Sequence, residues 1–134
     1  MTQHIFIQKI SKQKNIPSPR LIKKWVLHTL KNKSAEITVR ITHKSESQKL
    51  NSTYRHKNYP TNVLSFVYQT KPIMGDIVLC AALIPTKEKW AHLIVHGVLH
   101  LMGFDHETQK DAAKMESLEI KLLSQLGFEN PYKD

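Results

Sequence analysis

The chain has 134 residues, and 20 Lys+Arg against 11 Asp+Glu give it a formal charge of +9. That length favours one domain, 1–134, able to bury roughly two-thirds of its unfolded surface. A hydrophobic content of 40% and a charged content of 23% exclude a disordered or fibrous chain, and 4 Gly and 6 Pro exclude low complexity. The single cysteine, Cys80, excludes an intramolecular disulfide and suits a reducing compartment. The longest apolar run, Ile77 to Ile84, is far below the roughly 18 residues of a membrane span. Met1 to Asn15 holds no apolar signal core. The expectation is a basic cytoplasmic protein without a membrane partner.

Ile5, Phe6 and Ile7 open the chain as a first strand. Ser18-Pro19 then starts a helix, with Ser18 as N-cap and Pro19 in the first turn. Leu21, Ile22, Trp25, Val26 and Thr29 fall on one side of it, and Arg20, Lys23, Lys24 and Lys31 on the other. Ile37, Val39 and Ile41 alternate with polar residues, which predicts a half-buried strand over 36–42. Residues 45–54 form a short polar helix, capped by Ser45 or Ser47. Val63 to Tyr68 is rich in strand formers. Lys71-Pro72 with Gly75 marks a turn, and Asp76 to Cys80 returns as the second arm of a hairpin. Residues 87–101 form a helix that is apolar on most sides and sits in the core. Thr108 with Asp111 caps a last helix that stops at Gly127, with a buried stripe of Ala112, Met115, Leu118, Leu122 and Leu126. This order points to an α+β fold with a small mixed or antiparallel sheet.

The charge is unevenly placed. Residues 1–60 carry a net +11, and residues 61–134 a net −2. A basic half beside a mildly acidic one is the pattern of a surface that meets a polyanion, and in the cytoplasm that means nucleic acid. Phosphate contacts alone carry no sequence information.

Three of the eight histidines lie within eleven positions: His96, His100 and His106, with Gly103 between the last two. His96 and His100 are about 40° apart on a helix, one turn above the other. Gly103 permits a sharp turn that returns His106 toward the same point. Three imidazoles so spaced suit one Zn²⁺ or a neighbouring transition metal. No nearby cysteine offers a fourth ligand, so water takes it, the mark of a catalytic ion. His92, one turn earlier, reads as a neighbour, and Asp105 or Glu107 as a carboxylate that orients an imidazole. The spacing is that of metzincin proteases, H-E-x-x-H-x-x-G-x-x-H. Their general base, the glutamate after the first histidine, is Gly97 here. A peptidase base is therefore missing, and on a basic protein a phosphodiester is the more natural target.

A second block reads Leu50-Asn51-Ser52-Thr53-Tyr54-Arg55-His56-Lys57, followed by Thr61-Asn62-Val63-Leu64-Ser65-Phe66. Arg55 has the planar fork that holds a phosphate in two-point contact. With Met74-Gly75-Asp76-Ile77 and the run from His96 to His106, these residues make the chain resemble the YbeY family of bacterial single-strand endoribonucleases, also described as rRNA maturation factors. The resemblance runs from about Leu50 to Glu107 and continues through the last helix to Asn130-Pro131-Tyr132. It implies a single compact α+β domain, with a central sheet of about four strands packed with helices and the histidine site on a core helix. It implies that His96, His100 and His106 ligate one zinc ion. Arg55 would be the catalytic arginine at the cleft mouth, with Arg55 and Lys57 binding substrate. It further implies metal-dependent cleavage of single-stranded RNA in small-subunit rRNA 3′ end processing and ribosome quality control. The implied partners are the small ribosomal subunit, its proteins and the Era GTPase. Proton transfer would fall to water, a 2′-hydroxyl, Asp105 or His56. A non-catalytic zinc-stabilised assembly factor and a different metallohydrolase are the alternatives.

The chain departs from the family pattern in one respect. Only 19 residues separate Asp76 from His96, so Pro85-Thr86 must start the histidine helix almost directly after the strand.

Overall fold

Alternating branched apolar residues build the sheet. In the computed structural model, which describes residues Thr2 to Lys133, β1 (Gln3–Lys9) pairs in parallel with β2 (Ala35–Thr42). β2 pairs in parallel with β4 (Ile73–Cys80), and β4 antiparallel with β3 (Val63–Thr70), giving the order β1-β2-β4-β3. The four-stranded sheet is thus mixed. Helix α1 (Pro19–Leu30) carries the chain from β1 back to a parallel β2, whereas a tight turn joins β3 to β4. Met1 and Asp134, the ends of the expected 1–134 unit, lie outside the described residues.

Ile37, Val39 and Ile41 of β2 and Ile77 and Leu79 of β4 are fully buried on one sheet face. Helix α1, α3 (Lys87–Leu101) and α4 (Gln109–Gln125) pack on that side, with α3 touching α1, α4, β3 and β4. Helix α2 (Lys44–Arg55) lies on the other face, where Glu46 takes two hydrogen bonds from Arg40 at 2.6 and 2.8 Å.

Side-chain caps fix three helix starts where the sequence places them. Ser18 accepts from the Leu21 N–H at 3.2 Å, Thr86 from Lys89 at 3.1 Å and Thr108 from Asp111 at 3.0 Å. Helix α2 differs, because its cap is His43, whose Nδ1 accepts from the Glu46 N–H at 3.3 Å. Ser47 is instead buried, and its hydroxyl both donates to the Thr61 carbonyl at 2.6 Å and accepts from the Thr61 N–H at 2.9 Å. Gly75 is likewise not in the turn, which is confined to Lys71-Pro72, but inside β4. A Cβ there would come within 2.5 Å of the Phe66 carbonyl and of Leu101, so the close approach of the β3 backbone, with α3 above it, and not a turn, demands glycine. A single-turn 3₁₀ helix (Ala81–Leu83) is all that precedes the cap of α3, in line with the short connection read from the sequence.

On α4 the stripe is shifted by its companions. Met115, Leu122 and Leu123 are buried, Ala112, Leu118 and Leu126 half-buried, and the charged Glu119 is buried among them.

Candidate metal centre

His96 and His100 project from one face of α3, half-buried, and His106 returns from the loop after Gly103, whose φ of +103° is the region glycine tolerates. One ring nitrogen from each lies within 4.8 Å of the others.

Hydrogen bonds decide which nitrogens are free. His100 Nδ1 stands 3.1 Å from the Phe104 carbonyl, which only accepts, so this nitrogen carries the proton. His96 Nδ1 stands 2.9 Å from Glu119 Oε2. Burial pushes the Glu119 carboxyl up, but hydrogen bonds from His92, His96 and Tyr132 outweigh it and hold the group at about 2. It is therefore an anionic acceptor, and His96 Nδ1 also carries a proton. With both Nδ1 atoms so engaged, the two Nε2 atoms are the ones turned toward each other, 3.0 Å apart. Burial, reinforced by His96 and His106, pushes the His100 imidazole down, toward its neutral form. A shared proton or a metal ion between the two Nε2 atoms satisfies both lone pairs. Zinc–nitrogen bonds of about 2.0–2.1 Å in a tetrahedral shell would set two such nitrogens about 3.3 Å apart. The residues present fit a metal ion of that kind.

Glu119 was not among the site residues read from the sequence. Its signal was a carboxylate on the apolar stripe of α4, four residues after Met115 and three before Leu122. Its Oε2 accepts from His96 and from His92 Nε2, each at 2.9 Å, and its Oε1 from the Tyr132 hydroxyl at 2.7 Å. It thus fixes the tautomer of His96, the role that second-layer carboxylates serve at metal sites. Asp105 and Glu107, expected there, are exposed, and Asp105 Oδ1 accepts only from the Glu107 N–H at 3.3 Å. His92, His96 and Glu119 also bring ligand atoms within 4.8 Å of one another. Protons on both histidines satisfy that trio, so no lone pairs confront each other there.

Arg55 ends α2 and lines one groove of about 610 Å³ with Tyr54, the Val63–Tyr68 stretch of β3, His96, His100 and His106. Local packing sets its place. Ser47 ties α2 to Thr61, and Asn51 Nδ2 donates to the Tyr59 carbonyl at 2.8 Å, closing the loop that leaves the helix. Among the described residues the one arginine–carboxylate pair is Arg40–Glu46, so the Arg55 guanidinium is uncommitted. Lys57 and His56 are exposed and do not line this groove, and Asp105 lines a separate hollow toward Lys114. A larger hollow, about 760 Å³, lies elsewhere, against Lys33, Lys71 and Met74, and holds no metal-ligand grouping among the described residues.

Fold and site together give a small α+β domain in which three histidines that could hold a metal ion share a groove with an arginine that pairs with no carboxylate among the described residues. The family model for endoribonuclease YbeY matches residues 6–127. An endoribonuclease YbeY of Burkholderia cenocepacia is 45% identical, over 90% of this chain and 77% of its own. One of Coxiella burnetii is 45% identical, over 97% of this chain and 98% of its own. The solution structure of TM1509 from Thermotoga maritima aligns over 97% of this chain and 99% of its own with a TM-score of 0.61, and at 20% identity it shows the fold alone. The chain belongs to the endoribonuclease YbeY family. None of its described helices is long and apolar enough to cross a membrane.

Proposed function

We propose that the chain is a zinc-dependent single-strand endoribonuclease of rRNA maturation, acting in the cytoplasm as one 1–134 domain on the 3′ end of small-subunit rRNA. The observation that carries this is the convergence of His96, His100 and His106, with ligand atoms within 4.8 Å of one another, in the groove that Arg55 lines. In this reading His96, His100 and His106 hold the ion, Arg55 is the catalytic arginine, and the small ribosomal subunit with its proteins and Era are the partners in quality control. When bound, zinc supplies Lewis acidity toward a phosphoryl oxygen and lowers the pKa of water.

The chain's own residues do the rest. The Arg55 fork takes two oxygens of the phosphate at the cut and opposes the negative charge that grows there. Lys57, exposed just beyond α2, meets the strand outside the groove as a point charge. Glu119 keeps His96 in the ligand tautomer. Gly97 leaves no glutamate at the position where a metzincin keeps its general base, which speaks against peptide hydrolysis.

The test uses purified protein, single-stranded RNA and a metal assay by mass spectrometry. The wild type should cleave and carry zinc, His96→Ala should lose both, and Arg55→Ala should keep zinc while losing most of the cleavage. Cleavage by both variants at the wild-type rate would place the nuclease elsewhere.

A further inference from the structure

The groove holds aromatic surface that neither the metal site nor Arg55 uses. Tyr54 and Tyr68 line it while remaining 62% and 65% exposed, and Val67, also in its lining, is 47% exposed. Clustered apolar surface left in water beside a site marks a place where something binds.

Both rings are held in place. The Tyr68 hydroxyl donates to Asp76 Oδ2 at 2.6 Å, which pins the ring across the β3–β4 ladder. Tyr54 packs edge-on against Phe66, with centroids 5.2 Å apart and planes at 73°. Tyr68 sits where the β3–β4 register shifts, between Val67 and Gln69, and such a bulge re-aims a side chain. β3 is an edge strand, so no neighbouring strand covers the wall. Each tyrosine thus offers a ring face with little rotamer freedom left to lose on binding.

We propose that Tyr54 and Tyr68 form a stacking platform for unpaired nucleobases of the RNA strand whose phosphate Arg55 holds, a role that rests on the endoribonuclease reading above. Arg55 and Lys57 attract any phosphate chain, paired or not. The rings discriminate. Bases in a duplex are stacked on one another and cannot turn onto a protein ring, whereas a single strand can splay them. Every base has a π face, so the platform selects for single strands with little regard to sequence. Platform and metal centre share one groove, so a base seated on the wall sits next to the phosphate at the cut.

The experiment measures anisotropy of a labelled single-stranded oligoribonucleotide on metal-free protein, and steady-state cleavage on zinc-loaded protein. Stacking is worth roughly 1–3 kcal/mol per base, or about 5- to 150-fold in affinity. Tyr54→Leu and Tyr68→Leu should each weaken binding at least about fivefold and raise KM, with kcat nearly unchanged. Tyr68→Phe, which keeps the ring, should bind more tightly than Tyr68→Leu. An oligonucleotide with one abasic position, scanned along the strand, should bind the wild type more weakly at one or two positions and cost the leucine variants nothing further there. That scan is read on the wild type and does not depend on a variant folding. If the wild type cleaves RNA but the leucine variants match it, or if no abasic position matters, the platform is wrong and the nuclease stands. If the wild type neither binds nor cleaves RNA, the endoribonuclease reading falls first and the platform with it.

Discussion

Glu119→Gln isolates the buried carboxylate from the shape it fills. Glu119 is 1% exposed and accepts three hydrogen bonds, from His92, His96 and Tyr132. A glutamine in the same rotamer keeps an oxygen toward the two imidazoles and turns its NH₂ toward the Tyr132 hydroxyl, which can rotate to accept. Geometry survives and charge does not. His96 becomes a weaker donor, and zinc affinity should fall about 10- to 100-fold, the usual cost of losing such a support, or about 1.4–2.7 kcal/mol. The metal-free fold should lose at most about 2 kcal/mol, because charge-assisted bonds become neutral ones while the cost of burying an anion disappears. The pH dependence carries a second signature. The folded carboxyl sits at about 2, below its ordinary 4.5, so it stabilises the fold fully above pH 4.5 and loses that contribution as pH falls toward 2. The gap between wild type and Glu119→Gln should therefore narrow in that window. Zinc affinity by competition with a chromophoric chelator at pH 7, with urea melts of metal-free protein from pH 7 to 3, measures both effects. A folded Glu119→Gln that binds zinc like the wild type would refute the positioning role.

Other substitutions test the frame around the site. Gly75→Ala should cost at least about 2 kcal/mol in a urea melt, because the new methyl meets the Phe66 carbonyl, which is backbone, at 2.5 Å. Thr86→Ala removes the side-chain cap of the histidine helix and should cost about 1 kcal/mol, which a thermal melt will register. Glu46→Gln should cost about 1 kcal/mol at pH 7, since the pair with Arg40 is bidentate but partly solvated. The hydrogen bond from Arg40 holds the Glu46 carboxyl at about 2, so this difference should be complete above pH 4.5 and vanish as pH falls toward 2.

Local signals were legible because their causes are local. The helix over Lys87–Leu101 follows from Thr86 as cap and an apolar run with two histidines one turn apart. Ser18-Pro19 and Thr108 with Asp111 set two more helix starts. What escaped the sequence depends on distant partners. Gly75 looked like a turn residue because the approach of Leu101, 26 positions away, is invisible in one dimension. Glu119 drew no role from the sequence because its partners His92 and His96 are 27 and 23 residues distant. The basic half is also subtler than a single binding wall. Helix α1 packs on α3 and β1, at the sheet edge opposite β3, so its lysines lie away from the groove, and Arg55 is the cation that lines it.

Gly97 shows how the sequence clue and the fold answer each other. In the sequence it is the place where a metzincin keeps its catalytic glutamate. In the fold, a Cβ on Gly97 would stand 3.1 Å from Ile77 Cδ1 and Cγ2, on the side of α3 that presses into β4. A side chain there starts into the sheet interface, away from the groove that His96 and His100 face. Even an alanine would force Ile77 to give by a few tenths of an ångström. A glutamate would bury its carboxylate among Ile77, Leu101 and their neighbours, at a cost of several kcal/mol for an unpaired charge. The close approach of α3 to β4 thus disfavours a side chain at the position of the protease base. His96 and His100, one position before and three after Gly97, turn instead to the groove that Arg55 also lines.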